Sequence, residues 1–218
     1  MQRIAYGEHA SQFGELYLPE GVAEGAVVVI HGGFWHQRYG LELGRPLAEV
    51  LVADGFAVWN IEYRRVGGDG GWPVTGQDVL AAIEAVDIGP VVTLGHSAGG
   101  HLAVWAAKYS ERVVGAVAQA AVLDFTHHIT SRALELCSEE QFAEASPAAL
   151  VPIGKPVICV HGELDEDVPV AQSVDFCAVE PQAELIVVKG AGHMDMITPG
   201  TESWELCRGS VVRLARGC

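Results

Sequence analysis

Gly95-His96-Ser97-Ala98-Gly99-Gly100 decides the reading of this chain, because it follows the apolar run Val91-Val92-Thr93-Leu94 and opens a helical stretch from Ala98 to Tyr109. The order is strand, sharp turn, helix, with a serine at the bend. A serine hydroxyl is a weak nucleophile unless it is held exposed beside a base. In a G-x-S-x-G turn the two glycines, here Gly95 and Gly99, allow a tight bend and close helix packing, so that Ser97 projects above the sheet edge. The plain alternative, Ser97 as a helix N-cap, leaves those glycines unexplained.

Three further loops follow strand-like runs. His31-Gly32-Gly33-Phe34-Trp35 comes after Ala26-Val27-Val28-Val29-Ile30, and a glycine pair there lets backbone N–H groups point at a ligand, as an oxyanion hole requires. His161-Gly162-Glu163-Leu164-Asp165-Glu166-Asp167-Val168-Pro169 comes after Pro156-Val157-Ile158-Cys159-Val160 and supplies carboxylates. Gly190-Ala191-Gly192-His193 comes after Leu185-Ile186-Val187-Val188 and supplies a histidine. The chain order is serine, aspartate, histidine, each past the carboxyl end of a strand.

Together these segments resemble the α/β-hydrolase family, whose nucleophile, acid and base follow in that order. The resemblance covers nearly the whole chain. The forms of the His31–Trp35 and Gly95–Gly100 segments are most similar to an esterase and lipase branch that contains kynurenine formamidases and is related to hormone-sensitive-lipase-like enzymes, with Phe34 where the latter carry a third glycine. The resemblance implies Ser97 as nucleophile, His193 as general base, and N–H groups of Ala98 and Phe34, with Gly33 beside them, as the oxyanion hole. Asp165 takes the place of the acid because Asp165-x-x-Val168-Pro169 matches the family's pattern. Glu163, Glu166 and Asp167 crowd the same loop, and Asp124, beyond another strand, is a further candidate for the acid.

The remaining composition fits one enzyme domain over residues 1–218. The 218 residues can bury one sizeable core, and half of them are hydrophobic. A formal net charge of −15 disfavours nucleic acid and anionic membrane surfaces as partners. Five cysteines, without close metal-ligand spacing and odd in number, read as reduced thiols, and the N-terminus has no apolar signal core. These features point to a cytoplasmic protein with a small-molecule substrate, no cofactor and no metal. Oligomeric state is not legible.

Short β-branched runs alternating with amphipathic stretches predict an eight-stranded, mostly parallel sheet with helices on both faces. Strands are expected near 3–7, 12–19, 26–31, 57–62, 91–95, 113–118, 157–161 and 185–189, the first two forming an antiparallel edge. Helices are expected near 43–54, 75–86, 98–109, 169–178 and 202–215. Residues 122–150 hold a short cap, which suits small esters or amides better than long-chain lipids.

Among aromatic and basic residues, Trp35 and Trp72 are pocket candidates, and Arg64 or Arg65 could pair with a substrate carboxylate, although a structural ion pair is the commoner use. His31 is expected to brace the oxyanion loop, while His96 and His101 have structural readings. The reading favoured is a serine hydrolase of small carboxylic esters. An aryl formamidase is the alternative enzyme. A non-catalytic module holding a small ligand on the same fold is the alternative of another class.

Overall fold

The fold is described by a computed structural model covering residues 1–128 and 131–217. Ile129 and Thr130 of the expected cap, and Cys218, lie outside the described residues. The strands are β1 (Gln2–Ala5), β2 (Phe13–Tyr17), β3 (Ala26–Ile30), β4 (Ala57–Ile61), β5 (Val91–His96), β6 (Val113–Gln119), β7 (Val157–Gly162) and β8 (Ala183–Val188). The helices are α1 (Arg45–Ala53), α2 (Val74–Glu84), α3 (Ala98–Tyr109), α4 (Ser131–Leu136), α5 (Phe142–Ala145), α6 (Ala171–Val179) and α7 (Glu202–Arg216).

One sheet in the order β1-β2-β4-β3-β5-β6-β7-β8 carries all eight strands. The expected antiparallel edge is present: β2 runs antiparallel to both β1 and β4, and every other pairing is parallel. Side chains alternate between the two faces, as strand geometry dictates. From β3, Val27 and Val29 pack with Leu47 and Leu51 of α1 and Trp204 of α7. Val28 and Ile30 face the other way, toward Val79 and Ile83 of α2 and Leu102 of α3. Both faces of the central strands are therefore dry, and each large side chain withdrawn from water contributes roughly 1.5–3 kcal/mol.

Local signals end the helices where the pattern predicts. α1 has a proline in its first turn and stops at Asp54-Gly55, where Gly55 has φ 94°. α7 starts at Thr201, whose hydroxyl accepts from Trp204 N–H, with Glu202 and Glu205 in its first turn and Arg213 and Arg216 in its last. Between β6 and β7, α4, α5 and two 3-10 turns, Glu139–Gln141 and Pro147–Leu150, form the cap segment. Phe125, Ala133, Leu136 and Phe142 anchor it on the α2–α3 face.

The strand order reverses at β3, which lies between β4 and β5. At such a switch point the loops leaving neighbouring parallel strands diverge and open a crevice beyond their carboxyl ends. The loops after β3 and β5 are the glycine-rich segment from His31 and the turn at Ser97.

Candidate active site

Ser97 joins β5 to α3 with φ 55° and ψ −118°, a conformation costly for any residue with a Cβ, by about 1–3 kcal/mol. It is held by backbone bonds on both sides: Ser97 N–H donates to Gln119 C=O at 2.8 Å, and His101 N–H donates to Ser97 C=O at 3.1 Å. The flanking glycines are required by contact. A Cβ on Gly95 would lie 2.1 Å from Gly99 C=O, and one on Gly99 would lie 2.0 Å from Ile30 C=O.

A second strained segment faces the serine. Gly33, Phe34 and Trp35 have φ of 105°, 58° and 55° in succession. Side chains lock this loop from two directions. His31 Nδ1 donates to Gly32 C=O at 2.7 Å, and peptide planarity then directs Gly33 N–H to the opposite side. His31 Nε2 reaches Glu62 Oε1 at 2.9 Å, and Arg65 approaches the same oxygen at 3.0 Å. Burial pushes the Glu62 carboxyl upward, but the bond from His31 and the nearby Arg65 outweigh it and hold the group below the usual carboxylate range. On the other side, Trp35 Nε1–H donates to His101 Nδ1 at 3.1 Å, and His101 Nε2–H donates to Ala145 C=O in the cap at 2.8 Å. His101 thus ties the loop to the cap. The Phe34 N–H makes no hydrogen bond among the described residues, and Ala98 N–H, first in α3, has no intrahelical acceptor.

The loop after β7 delivers a buried carboxylate. Asp165 Oδ2 accepts from His193 Nδ1 at 2.7 Å and lies 3.3 Å from His161 Nε2, while Oδ1 accepts from the N–H groups of Val168 and Asp167 at 2.8 and 2.9 Å. Burial alone would raise its pKa, yet the bonds from His161, His193 and Val168 prevail and hold it well below the carboxylate range. His161 is itself fixed, with Nε2 donating to Val168 C=O at 2.9 Å and Nδ1 meeting Ser173 Oγ at 2.8 Å. The sequence reading assigned His161 no role. Its signal was available, four residues before Asp165 at the carboxyl end of β7.

His193 starts a 3-10 turn, His193–Ile197, in the loop after β8. His96 supports it: His96 Nε2–H donates to His193 C=O at 3.1 Å, and the two rings are 4.4 Å apart. Burial, with neighbouring His193 second, pushes the His96 pKa down to about 3, so His96 is a neutral donor at physiological pH. Ser97 and His193 line one cleft, although among the described residues no hydrogen bond joins their side chains.

Two of the other acidic candidates, Asp124 and Glu163, are engaged elsewhere. Asp124 accepts from Thr126 and His127 N–H and pairs with His127 Nδ1 at 2.7 Å, closing a turn. Glu163 accepts from Gly190 N–H. Two pocket expectations are corrected. Arg64 is bound in a bidentate fashion by Asp78 at 2.7 and 2.9 Å, and Arg65 by Glu62 and Tyr39 C=O, because folding sets a buried carboxylate beside each guanidinium. Trp72 packs edge-on against Trp105, 4.8 Å between rings, as part of the core beneath the cap. Trp35 does reach the site, edging a cavity while almost wholly buried.

Two cavities meet at Ser97, Phe34 and Asp167. The smaller, about 60 Å³, is enclosed by Trp35, Ala98, Val122, Val168, Pro169 and the cap residue Arg132, among others. The larger, about 280 Å³, runs past Tyr39, Leu43, Met194 and Ile197 and contains His193. A nucleophile between two compartments, with a base in one of them, is suited to splitting a molecule into two unequal parts.

Two family models match the chain, BD-FAE over residues 15–124 and the prolyl oligopeptidase family over residues 74–204, each spanning at least half of it. No curated protein matches. Among solved structures, a truncated carbohydrate esterase from gut microbiota superposes with a TM-score of 0.83 at 21% identity, over 99% of this chain and 96% of that one. A bifunctional GH43-CE protein of Bacteroides eggerthii gives a TM-score of 0.85 at 22% identity, over 98% of this chain and 35% of that one. A thermophilic esterase of the planctomycete Thermogutta terrifontis gives 0.78 at 20% identity, over 99% and 90%. The chain belongs to the α/β-hydrolase esterase family, and its general activity is that of a serine hydrolase.

Proposed function

We propose that the protein hydrolyses small carboxylic esters through an acyl-enzyme formed on Ser97. The observation that carries this reading is the 2.7 Å bond between His193 Nδ1 and the buried Asp165, in the cleft that the strained Ser97 also lines. Asp165 fixes the proton on Nδ1 and leaves Nε2 as the base. Ser97 Oγ attacks the acyl carbon as its proton passes to Nε2, and the oxyanion lies against the N–H groups of Phe34 and Ala98, with Gly33 N–H beside them. The C–O bond to the alcohol then breaks and His193 protonates the departing oxygen. Water repeats the sequence on the acyl-enzyme and restores Ser97. One oxyanion donor of this kind supplies about 3 kcal/mol of transition-state stabilisation.

The base sits in the larger cleft, so the leaving group departs there and the acyl group occupies the smaller cavity. A short acyl group on a larger alcohol fits these volumes. The esterase of Thermogutta terrifontis has been solved with propionate bound and phosphonylated by sarin, which agrees with a short acyl side and a reactive serine. The aryl formamidase alternative drew on Arg64 and Arg65 as carboxylate partners, and both are held in ion pairs. Free thiols at Cys137, Cys159, Cys177 and Cys207 support a cytoplasmic setting. Among the described residues no helix is long and apolar enough to cross a membrane.

The test compares kcat/KM for a short-chain aryl ester and for N-formyl-L-kynurenine, with Ser97→Ala as control. Ester turnover that vanishes in the variant is the expected result. A Ser97-dependent preference for the formamide would move the assignment to amide hydrolysis, and no labelling of Ser97 by a phosphonate probe would leave the fold as a binding module.

A further inference from the structure

We infer that the acyl cavity selects a short acyl chain ending in a negative charge, with Arg132 of α4 as the residue that reads it; the inference rests on the serine-hydrolase reading above. Besides Ser97, the polar side chains on the described cavity walls are Arg132, Gln172 and, at the junction with the outer cleft, Asp167. Trp35, Ala98, Val122, Val168 and Pro169 are apolar, and the Gln172 amide is committed to Leu123, Asp124 and His128 backbone groups. Among the described residues Arg132 is the one cation on these walls.

Its position is set by the site itself, since the guanidinium carbon lies 5.5 Å from the centroid of the Phe34 ring, the residue whose N–H faces the oxyanion position. Only thirteen lysines and arginines stand against twenty-eight acidic residues, and most arginines are bound to partly or fully buried carboxylates or to ion pairs between elements. Arg132 differs. Among the described residues its carboxylate partner is the half-exposed Glu135 one turn on, reached through Nη1 alone. A guanidinium has five donors, so Nη2 and Nε stay available to a second carboxylate.

The cavity is small, about 60 Å³, and is lined by both Ser97 and Arg132, so a short acyl chain whose ester carbonyl sits at the serine directs its far end toward the guanidinium. Arg132 is itself half-exposed, so a bidentate carboxylate contact carries the pairing. Asp167 lines the junction with the outer cleft and opposes an anion, so it sharpens the requirement that the charge lie at the Arg132 end. The substrate class is a monoester of a short dicarboxylic acid.

Two p-nitrophenyl esters of equal shape test this, the hemisuccinate and the 4-methylpentanoate, in which an isopropyl group replaces the carboxylate. The wild-type enzyme is expected to prefer the hemisuccinate in kcat/KM. Arg132→Gln is expected to lower the hemisuccinate-to-methylpentanoate ratio at least tenfold, Arg132→Lys to lower it less, and Asp167→Asn to raise it. A ratio unchanged in Arg132→Gln, or a wild-type preference for the neutral ester that Arg132→Gln leaves intact, overturns the inference while the esterase reading stands. Turnover of neither ester, with no phosphonate labelling of Ser97, removes both.

Discussion

At the scale of single residues, the site is built from side chains that hold one another in one protonation pattern. Asp165 accepts from two histidines and two backbone N–H groups, so its charge is compensated without solvent. Asp165→Asn should keep the fold, because the amide oxygen can still accept from Val168 and Asp167. It should cost about 10⁴-fold in kcat, because an amide NH2 facing His193 favours the wrong tautomer. Circular dichroism with steady-state kinetics checks both halves, and near-normal turnover would move the acid elsewhere. His161 acts on the same oxygen from the other side. Its N–H reduces the negative charge that Asp165 offers to His193, so His161→Phe should shift the ascending limb of the pH–kcat/KM profile to higher pH as well as lower its plateau. A lower plateau on an unmoved limb would mean that His161 merely packs the loop.

At the scale of elements, two strained turns are pressed together at the carboxyl ends of β3 and β5, and their contact leaves no room for a side chain at Gly95 or Gly99. The Ser97 turn touches β3 through Gly99, where a methyl group would lie 2.0 Å from Ile30 C=O. Gly99→Ala must therefore part β3 from α3. The expected outcome is a loss of roughly 1–3 kcal/mol in urea unfolding together with much slower phosphonate labelling of Ser97, since overpacking and misplacement of the turn have one cause. The oxyanion loop is held differently, by side chains. Trp35→Phe keeps an aromatic ring, though a smaller one, but removes the bond to His101, freeing the loop to relax from three successive positive φ angles. A fall in kcat of about 10–100-fold with little change in KM is expected, since the hole acts on the transition state. Equal changes in both constants would place Trp35 in ground-state binding instead.

At the scale of the whole molecule, the sheet and its motifs were legible because they depend on local pattern. Apolar runs ended by glycine-rich loops give eight strands, and the chain order of Ser97, Asp165 and His193 survives folding because parallel strands deliver their carboxyl ends to one edge. What folding adds is long-range pairing. Arg64 and Arg65 look available in sequence, yet Asp78 and Glu62 meet them in space, while Arg132, in an unremarkable cap helix, arrives beside Phe34. His101 is of the same kind, a helix residue that turns out to join the oxyanion loop to the cap. It also gives the molecule a pH dependence. Burial pushes its pKa down to about 4 from an ordinary 6.5, and Trp35 Nε1–H requires Nδ1 to stay unprotonated. Between pH 6.5 and about 4 the unfolded chain binds a proton that the folded one refuses, so stability falls as pH falls through that window, by about 3 kcal/mol from this residue. Buried His96 adds a loss of the same sign reaching to about pH 3. The carboxyl of Asp165, depressed in the folded state, contributes its loss as pH falls through and below the ordinary aspartate value, so its effect lies below the His101 window. His101→Phe should be less stable than the wild type at pH 7.5, where both hydrogen bonds are lost for no gain. The gap should close by about 3 kcal/mol at pH 4, measured by urea unfolding at both values. A gap that stays constant would show that His101 is not held neutral, and the tie between cap and oxyanion loop would then have to bear protonation without opening.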